Sequence, residues 1–145
     1  MNTDQISNQQ RTHSASSLRD LAQVAIQVQA DAQALIGFEL YFGEENIGYV
    51  HFGANSMLES IHNLMRESLK SAKNGNLLLD REIRHDLRNR VAVVKGFSDL
   101  MRMEAPDDHP SAEVLDQIIK RSRHFVDMLD GAKSVADDEL LAMAS

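Results

Sequence analysis

Residues 81–103 read REIRHDLRNRVAVVKGFSDLMRM, a sequence with two different faces if it is helical. Its apolar residues recur at intervals of 4, 7, 3 and 4 and predict a buried stripe made of Ile83, Leu87, Val94, Phe97 and Met101. Residues three and four positions apart share a face of a helix, and a second face carries Arg81, His85, Arg88 and Asn89. The pattern therefore predicts an amphipathic helix in which His85 points to water or to a partner.

This second face combines groups that suit phosphoryl transfer. An exposed imidazole is a usable nucleophile near neutral pH, which makes His85 the candidate acceptor. Asp86 beside it could orient the ring and take up its proton as the bond to phosphorus forms. Asn89, one turn further on, could hold a water molecule near a group attached to His85. Arg81 and Arg88 could meet phosphate oxygens.

The stretch His85-Asp86-Leu87-Arg88-Asn89, with the apolar, glycine-containing run over 91–101, resembles the phosphorylated helix of a known family. The family is the dimerisation and histidine-phosphotransfer (DHp or HisKA) domain of two-component sensor histidine kinases. Its pattern is His, an acidic residue, an aliphatic residue, a basic residue, Asn or Thr, usually Pro, and then an apolar run with a glycine. The chain departs from that pattern at Arg90, where proline is usual. The resemblance covers residues 80–131, and it is looser in the second helix.

The resemblance implies a role for each matching residue. His85 would be the phospho-acceptor, Asp86 its acid–base partner, and Asn89 the residue that positions water for dephosphorylation. The implied partners are a second copy of the chain, the receiver domain of a response regulator, and a kinase ATP-binding domain acting in cis or in trans. ATP and Mg²⁺ would enter only through that separate domain, because this chain has no glycine-rich loop or P-loop and few residues after position 131. No cofactor is therefore expected in the chain itself.

A non-catalytic interpretation fits the same residues. A solvated helix face can carry a histidine by chance, and a helical dimer can relay a conformational change without being phosphorylated. Arg90 at the position of the usual proline slightly favours such a scaffold. The sequence leaves both interpretations open.

Composition and charge bear on several classes of function. The 145 residues include no cysteine, which excludes disulfides and thiolate metal sites, and His62 has no second ligand at helical spacing, so no metal site is expected. The apolar runs are far shorter than the ~18 residues of a membrane span, and the polar N terminus lacks a secretory signal, so a cytoplasmic location is expected. The net charge of −7 argues against binding to nucleic acid or anionic membranes. Residues 80–104 are less acidic, with six Lys or Arg against five Asp or Glu, as suits a surface that meets phosphate.

The N-terminal half is predicted to contain a tail and a helical region. Residues 1–15 are polar and predicted to be disordered. Residues 16–75 are predicted to form a sensory or dimerisation region. Its first helix is expected to begin at an N-cap on Ser17 and to stop at Gly37.

The rest of this region is predicted to be of mixed structure. Alternating aromatic and β-branched residues over 38–53 predict a short β-hairpin. Ser56 is predicted to cap a second helix, because Glu59 three residues later completes a capping box. The sequence Asn74-Gly75-Asn76 predicts a break before the helix that carries His85.

The C-terminal half is predicted to be an antiparallel helical hairpin over residues 76–131. Its first helix is expected over 77–104, and its second is expected to be capped by Ser111 and closed by Gly131. One hairpin leaves apolar stripes uncovered, so two copies are expected to form a dimeric four-helix bundle. Residues 132–145 are a tail or linker that could form one more weak helix. The fold class predicted is mainly α.

Overall fold

A computed structural model describes residues 17–70 and 76–144 of the chain. Its α-helices are α1 (Leu18–Ala34), α2 (Glu39–Phe42), α3 (Glu44–Lys70), α4 (Arg81–Glu104) and α5 (Ser111–Ala144). Two 3₁₀ turns, Leu35–Phe38 and Leu77–Leu79, precede α2 and α4. The mainly helical fold class is confirmed. The tail predicted to be disordered, and Asn74 and Gly75 of the predicted break, lie outside the described residues.

Helices α4 and α5 form an antiparallel hairpin. Arg88 near the start of α4 is 2.6 Å from Asp130 just past the middle of α5, whereas Arg102 near the end of α4 is 2.8 Å from Asp116 near the start of α5. Residue numbers that rise along one helix therefore fall along the other. The hairpin predicted from the sequence is confirmed.

Helices α1 and α3 complete a four-helix bundle within one chain. Contacts join α1 to α3, α3 to α4, α4 to α5 and α5 to α1, so the four long helices form a closed ring. Arg90 of α4 contacts Ser56 of α3, and Phe97 of α4 stacks on Tyr49 of α3, so this pair is also antiparallel. Short connections between successive antiparallel helices are typical of up-down-up-down bundles.

The core explains how the apolar stripes of the hairpin are covered. Side chains that are fully buried come from all four long helices, among them Leu21, Met57, Leu87, Leu115 and Phe125. Helices α1 and α3 of the same chain therefore cover the inner faces of α4 and α5. A second copy is not needed to cover these faces, although dimerisation itself stays a prediction.

Polar contacts between side chains help to set the register of α1 in this ring. Gln29 donates to Asn55 of α3 at 2.6 Å, and Arg121 of α5 lies 3.1 Å from Asp31. Burial raises the pKa of Asp31, and the positive charge of Arg121 opposes that rise. The pair therefore compensates part of the cost of burying the Asp31 carboxylate.

The predicted β-hairpin over 38–53 is wrong, and none of the described residues forms a strand. The segment contains the end of the first 3₁₀ turn, helix α2 and the first ten residues of α3. Ile47, Val50, Ala54 and Met57 recur at helical spacing, and all four are buried against the bundle. The preference of the aromatic and β-branched residues for strands is overridden by this packing. Gly43, with φ of 90°, provides the turn between α2 and α3.

The structure confirms some of the predicted helix boundaries and contradicts others. Ser17 caps α1 through a complete capping box with Asp20, as predicted for its cap. Ser56 is not a cap, because it lies in the middle of α3. Gly131 does not end α5, which continues without a break to Ala144. The weak helix predicted for the tail is therefore the last part of α5.

At Gly53, α3 packs closely against α4. A Cβ atom at this position would lie 2.7 Å from Cγ2 and 3.3 Å from the backbone nitrogen of Val94. We expect Gly53→Val to lower the free energy of unfolding by about 2–3 kcal/mol, because a close-packed core tolerates added atoms poorly. Gly131→Ala is the matched control: it adds a Cβ into open space and is expected to stabilise α5 by up to about 1 kcal/mol. Urea unfolding measures both, and equal stability of the two variants would contradict the tight approach.

No helix in residues 17–70 or 76–144 has the length and apolar character needed to cross a bilayer.

Candidate functional site

His85 lies on the outside of the bundle, in the second turn of α4. The Asp80 carboxylate caps this helix by accepting hydrogen bonds from the backbone N–H groups of Glu82 and Ile83, at 2.8 and 3.1 Å. Leu87 and Val91 are buried, and they turn the inner face of α4 to the core. His85 is consequently exposed. Its predicted position on the outer face of a helical bundle is confirmed.

The side chain of Asn89 lies within hydrogen-bonding range of the imidazole. Its Nδ2 lies 3.4 Å from Nδ1 of His85, one helical turn away. The amide can donate a hydrogen bond to Nδ1 through its NH₂ group or, if its oxygen faces the ring, accept a hydrogen bond from Nδ1–H. In the second arrangement Nε2 carries the free electron pair and faces away from Asn89. The prediction that these two residues lie together is confirmed.

Asp86 is turned away from His85. Its carboxylate accepts from Nε of Arg90 at 2.8 Å and from the hydroxyl of Ser60 at 3.3 Å, on the side of α4 that faces α3. Consecutive residues of a helix point about 100° apart, which places His85 and Asp86 on different sides of α4. The structure does not join the Asp86 carboxylate to the imidazole, and the predicted orienting contact is absent. Its role as a proton acceptor stays a prediction.

Arg90 connects α4 to α3. It occupies the position at which the family that the chain resembles usually has proline. Besides its ion pair with Asp86, its Nη1 donates to the hydroxyl of Ser56 at 2.5 Å and to the Ser56 carbonyl oxygen at 3.3 Å. Helix α4 runs through this position without interruption. Arg90 is therefore a structural link between two helices.

A groove of about 670 Å³ lies beside His85, between the start of α4 and the last part of α5. It contains four cationic side chains and two carboxylates, which are Arg81, Arg84, Arg88, Lys133, Asp130 and Asp137. Its apolar wall is made of Leu79, Leu129, Ala136 and Leu140. The groove thus has an excess of positive charge although the whole chain is acidic.

Some cationic side chains of the groove already bind other groups within the described residues, and others do not. Arg88 forms an exposed ion pair with Asp130 at 2.6 Å. Arg84 donates to the carbonyl oxygens of Leu78 and Leu79, at 3.0 and 2.7 Å, and so holds the 3₁₀ turn. Arg81 and Lys133 form no ion pair with any described residue. They are therefore the two cations most available to an anion that enters the groove.

Lys133 and Asp130 were missed by the sequence analysis. They lie on either side of Gly131, the residue predicted to end the second helix. The apolar stripe of that helix continues past the glycine through Ala132, which is buried, and Val135, which is partly buried. That continuation was the available signal that α5 extends past His85.

No metal site is associated with these residues. In the two described ranges, no group of three or more His, Asp or Glu side chains is arranged to hold a metal ion. The chemistry open to the site is that of an exposed imidazole beside cationic groups: nucleophilic attack on an electrophile that carries negative charge.

Comparisons of the chain with protein-family models, with curated proteins and with solved structures find no match. The resemblance of residues 80–131 to the histidine-phosphotransfer domain stays a prediction, and any function assigned to the chain rests on the residues of the groove and their geometry.

Proposed function

We propose that this chain is a phosphotransfer and dimerisation module of a two-component signalling system. His85 accepts a phosphoryl group and passes it to an aspartate of a response-regulator receiver domain. The observation that carries the proposal is the position of His85, which is exposed at a groove where Arg81 and Lys133 have no ionic partner among the described residues. Exposure lets another protein reach the imidazole, and cations stabilise the charge of a phosphoryl group.

The proposed reaction is a pair of displacements at phosphorus. Nε2 of His85 attacks the phosphorus atom of a donor, an N–P bond forms, and the donor's P–O bond breaks with its electron pair leaving on the oxygen. The Nδ1–H group stays protonated and donates a hydrogen bond to the oxygen of Asn89 when the amide faces the ring that way. In the second step a receiver carboxylate attacks phosphorus, and the N–P bond breaks to return the electron pair to Nε2. Arg81, Arg88 and Lys133 would contact the phosphoryl oxygens in both steps.

Asp86 can take part in this reaction only after its carboxylate has moved. To accept a proton from the imidazole, its carboxylate has to leave Arg90 and Ser60. Docking of a kinase ATP-binding domain, in cis or in trans, would supply ATP and Mg²⁺ and could provide the contacts that release it. The proposed partners are therefore a kinase ATP-binding domain, a receiver domain and a second copy of the chain. We place the module in the cytoplasm and propose no nucleic acid or membrane as a partner.

A non-catalytic scaffold is the alternative, and one observation favours it. Asp86, Arg88 and Arg90 are all engaged in contacts that hold α4 to α3 or to α5. Asp86, which would act as the acid–base partner in the family that the chain resembles, is thus held by Arg90 and by Ser60 of α3 in this chain. A scaffold of this kind would relay movement between helices without a covalent intermediate.

The experiment that separates the two is direct phosphorylation of the full chain. Acetyl phosphate or a partner kinase is added, and the intact mass is measured with and without acid treatment. The proposal predicts one phosphoryl group that is lost in acid and survives in alkali, because a P–N bond is acid-labile, and that moves to an added receiver domain. An unlabelled chain under a donor that charges the receiver would support the scaffold.

Lys133 is expected to affect the rate of this labelling. Replacing it with glutamine removes a cation that faces His85 across the groove, so Lys133→Gln is expected to slow labelling roughly three- to tenfold. Lys120→Gln is the matched control, because Lys120 is also an exposed lysine of α5 but lies outside the groove. Rates are measured by intact mass over time. Equal rates for the two variants would remove Lys133 from the site.

A further inference from the structure

The side of the bundle formed by α3 and α4 carries apolar side chains that the described residues leave between about a third and four fifths exposed. Exposed fractions are 71% for Phe52, 41% for Tyr49, 37% for Val93, 57% for Leu100 and 83% for Met103. We refer to these five residues as the α3/α4 face. Scattered exposed apolar residues are normal in soluble proteins, so the question is whether these five are contiguous.

Contacts and helical spacing make the α3/α4 face continuous. Tyr49, Phe52 and Val93 line one shallow, mainly apolar groove of about 530 Å³, at whose edge the Tyr49 hydroxyl donates to the carboxylate of Glu45. The Tyr49 ring also stacks on Phe97 of α4, with the ring centroids 4.6 Å apart. Leu100 follows Val93 by seven residues and therefore lies on the same side of α4, and Met103 lies one turn further on.

Two exposed glycines also lie on this face. Gly48 of α3 lines the apolar groove, and Gly96 of α4 lies between Val93 and Leu100. A Cβ atom at either position would meet no other atom within 4 Å, so neither glycine is required by packing inside the chain. Glycine is less favourable than alanine within a helix. At an exposed position it allows another backbone to approach closely.

We propose that a second copy of this chain docks on the α3/α4 face, with Gly96 of the two copies near the point of closest approach. The apolar area exposed by the five side chains is on the order of 500 Å² per copy, taking about 200 Å² for a whole aromatic side chain. Two copies would thus bury on the order of 1,000 Å², which reaches the lower limit for a specific interface. In a dimer with twofold symmetry, both copies contribute the same surface to the interface. The α3/α4 face of one copy would therefore pack on the α3/α4 face of the other.

This interface leaves the candidate site open. The groove beside His85 is formed by α4 and α5, whereas the proposed interface is formed by α3 and α4. The inference rests on the dimerisation part of the proposed function and not on phosphoryl transfer. A monomer that is still labelled on His85 would overturn the interface alone, and a dimer that is never labelled would overturn phosphoryl transfer alone.

The test is the oligomeric state of the full chain over a series of concentrations, by light scattering or sedimentation. We expect the wild type to dimerise. Leu100→Glu places a charge in the interface and is expected to weaken the dimer by roughly a hundredfold. Leu69→Glu is the matched control, because Leu69 is 88% exposed on α3 but is not part of the face. Circular dichroism checks that both variants keep the helical fold.

A second variant keeps the proposal testable if Leu100→Glu does not fold. The chain contains no cysteine, so Gly96→Cys introduces a single thiol into open space. Mild oxidation is expected to yield covalent dimers from Gly96→Cys, and only a background amount from Gly131→Cys on α5. A wild type that is monomeric throughout would overturn the proposal and leave the face to a partner of different sequence. Equal dimerisation of the two glutamate variants, or equal cross-linking of the two cysteine variants, would also overturn it.

Discussion

Replacement of His85 by alanine is expected to abolish labelling of the chain by a phosphodonor while the bundle stays folded. His85 is exposed and its ring lies within hydrogen-bonding range of Asn89, so the free energy of unfolding should change by no more than about 0.5 kcal/mol. The reaction, in contrast, needs the Nε2 electron pair and has no substitute for it. Intact mass after incubation with acetyl phosphate, together with urea unfolding, measures both effects.

His62→Ala and His124→Ala are the controls for this variant. Both imidazoles are exposed, like that of His85, but neither lies in the groove. They are expected to be labelled at the rate of the wild type. Acid-labile label that persists in His85→Ala would assign the phosphoryl group to another side chain.

Substitution of Arg90 by proline is expected to destabilise the bundle more than Gly53→Val does. Proline inside a helix removes a backbone N–H donor and clashes with the preceding turn, which costs about 3 kcal/mol. The variant also loses the contacts of Arg90 with Ser56 and Asp86. Together these effects should lower the free energy of unfolding by about 4 kcal/mol, measured by urea unfolding.

Arg90→Ala separates the two parts of this effect. It keeps α4 helical and removes only the side-chain contacts, so a loss of about 1 kcal/mol is expected. If Arg90→Pro is as stable as Arg90→Ala, α4 accepts a bend at this position. The difference between this chain and the usual family pattern would then have no structural meaning.

Much of the fold was predictable because the signals for it are local. The N-cap at Ser17 and the end of α4 at Glu104 follow from capping groups, apolar periodicity and the prolines that come after. Residues 38–53 were not predictable in this way. Their alternating aromatic residues fit a strand locally, and only the contacts of Ile47 and Val50 with other helices make the helix favourable.

Some residues of the candidate site could likewise be placed from local signals, and others could not. The residues on α4 could be placed from helical spacing alone, including the exposed position of His85 and its neighbour Asn89. The position of Asp86 depends on Arg90 and Ser60, and the pairing of α3 with α4 that brings Ser60 there is specified by no local pattern. The contribution of Lys133 depends on α5 passing through Gly131.

The pairing of helices was also beyond local signals. The apolar stripes of α4 and α5 correctly indicate that two further helices must cover them. Periodicity does not say whether these helices come from a second copy or from earlier in the same chain. Helices α1 and α3 supply them here, so any dimer has to use a different surface.

The most direct test of phosphoryl transfer through His85 is a nitrogen NMR spectrum of the six imidazoles in the ¹⁵N-labelled full chain, before and after a phosphodonor is added. We expect that a single ring changes, that the change places a phosphoryl group on Nε2, and that the signals of this ring are the ones missing from His85→Ala. A phosphorylated chain in which the His85 ring is unchanged would contradict the proposed function.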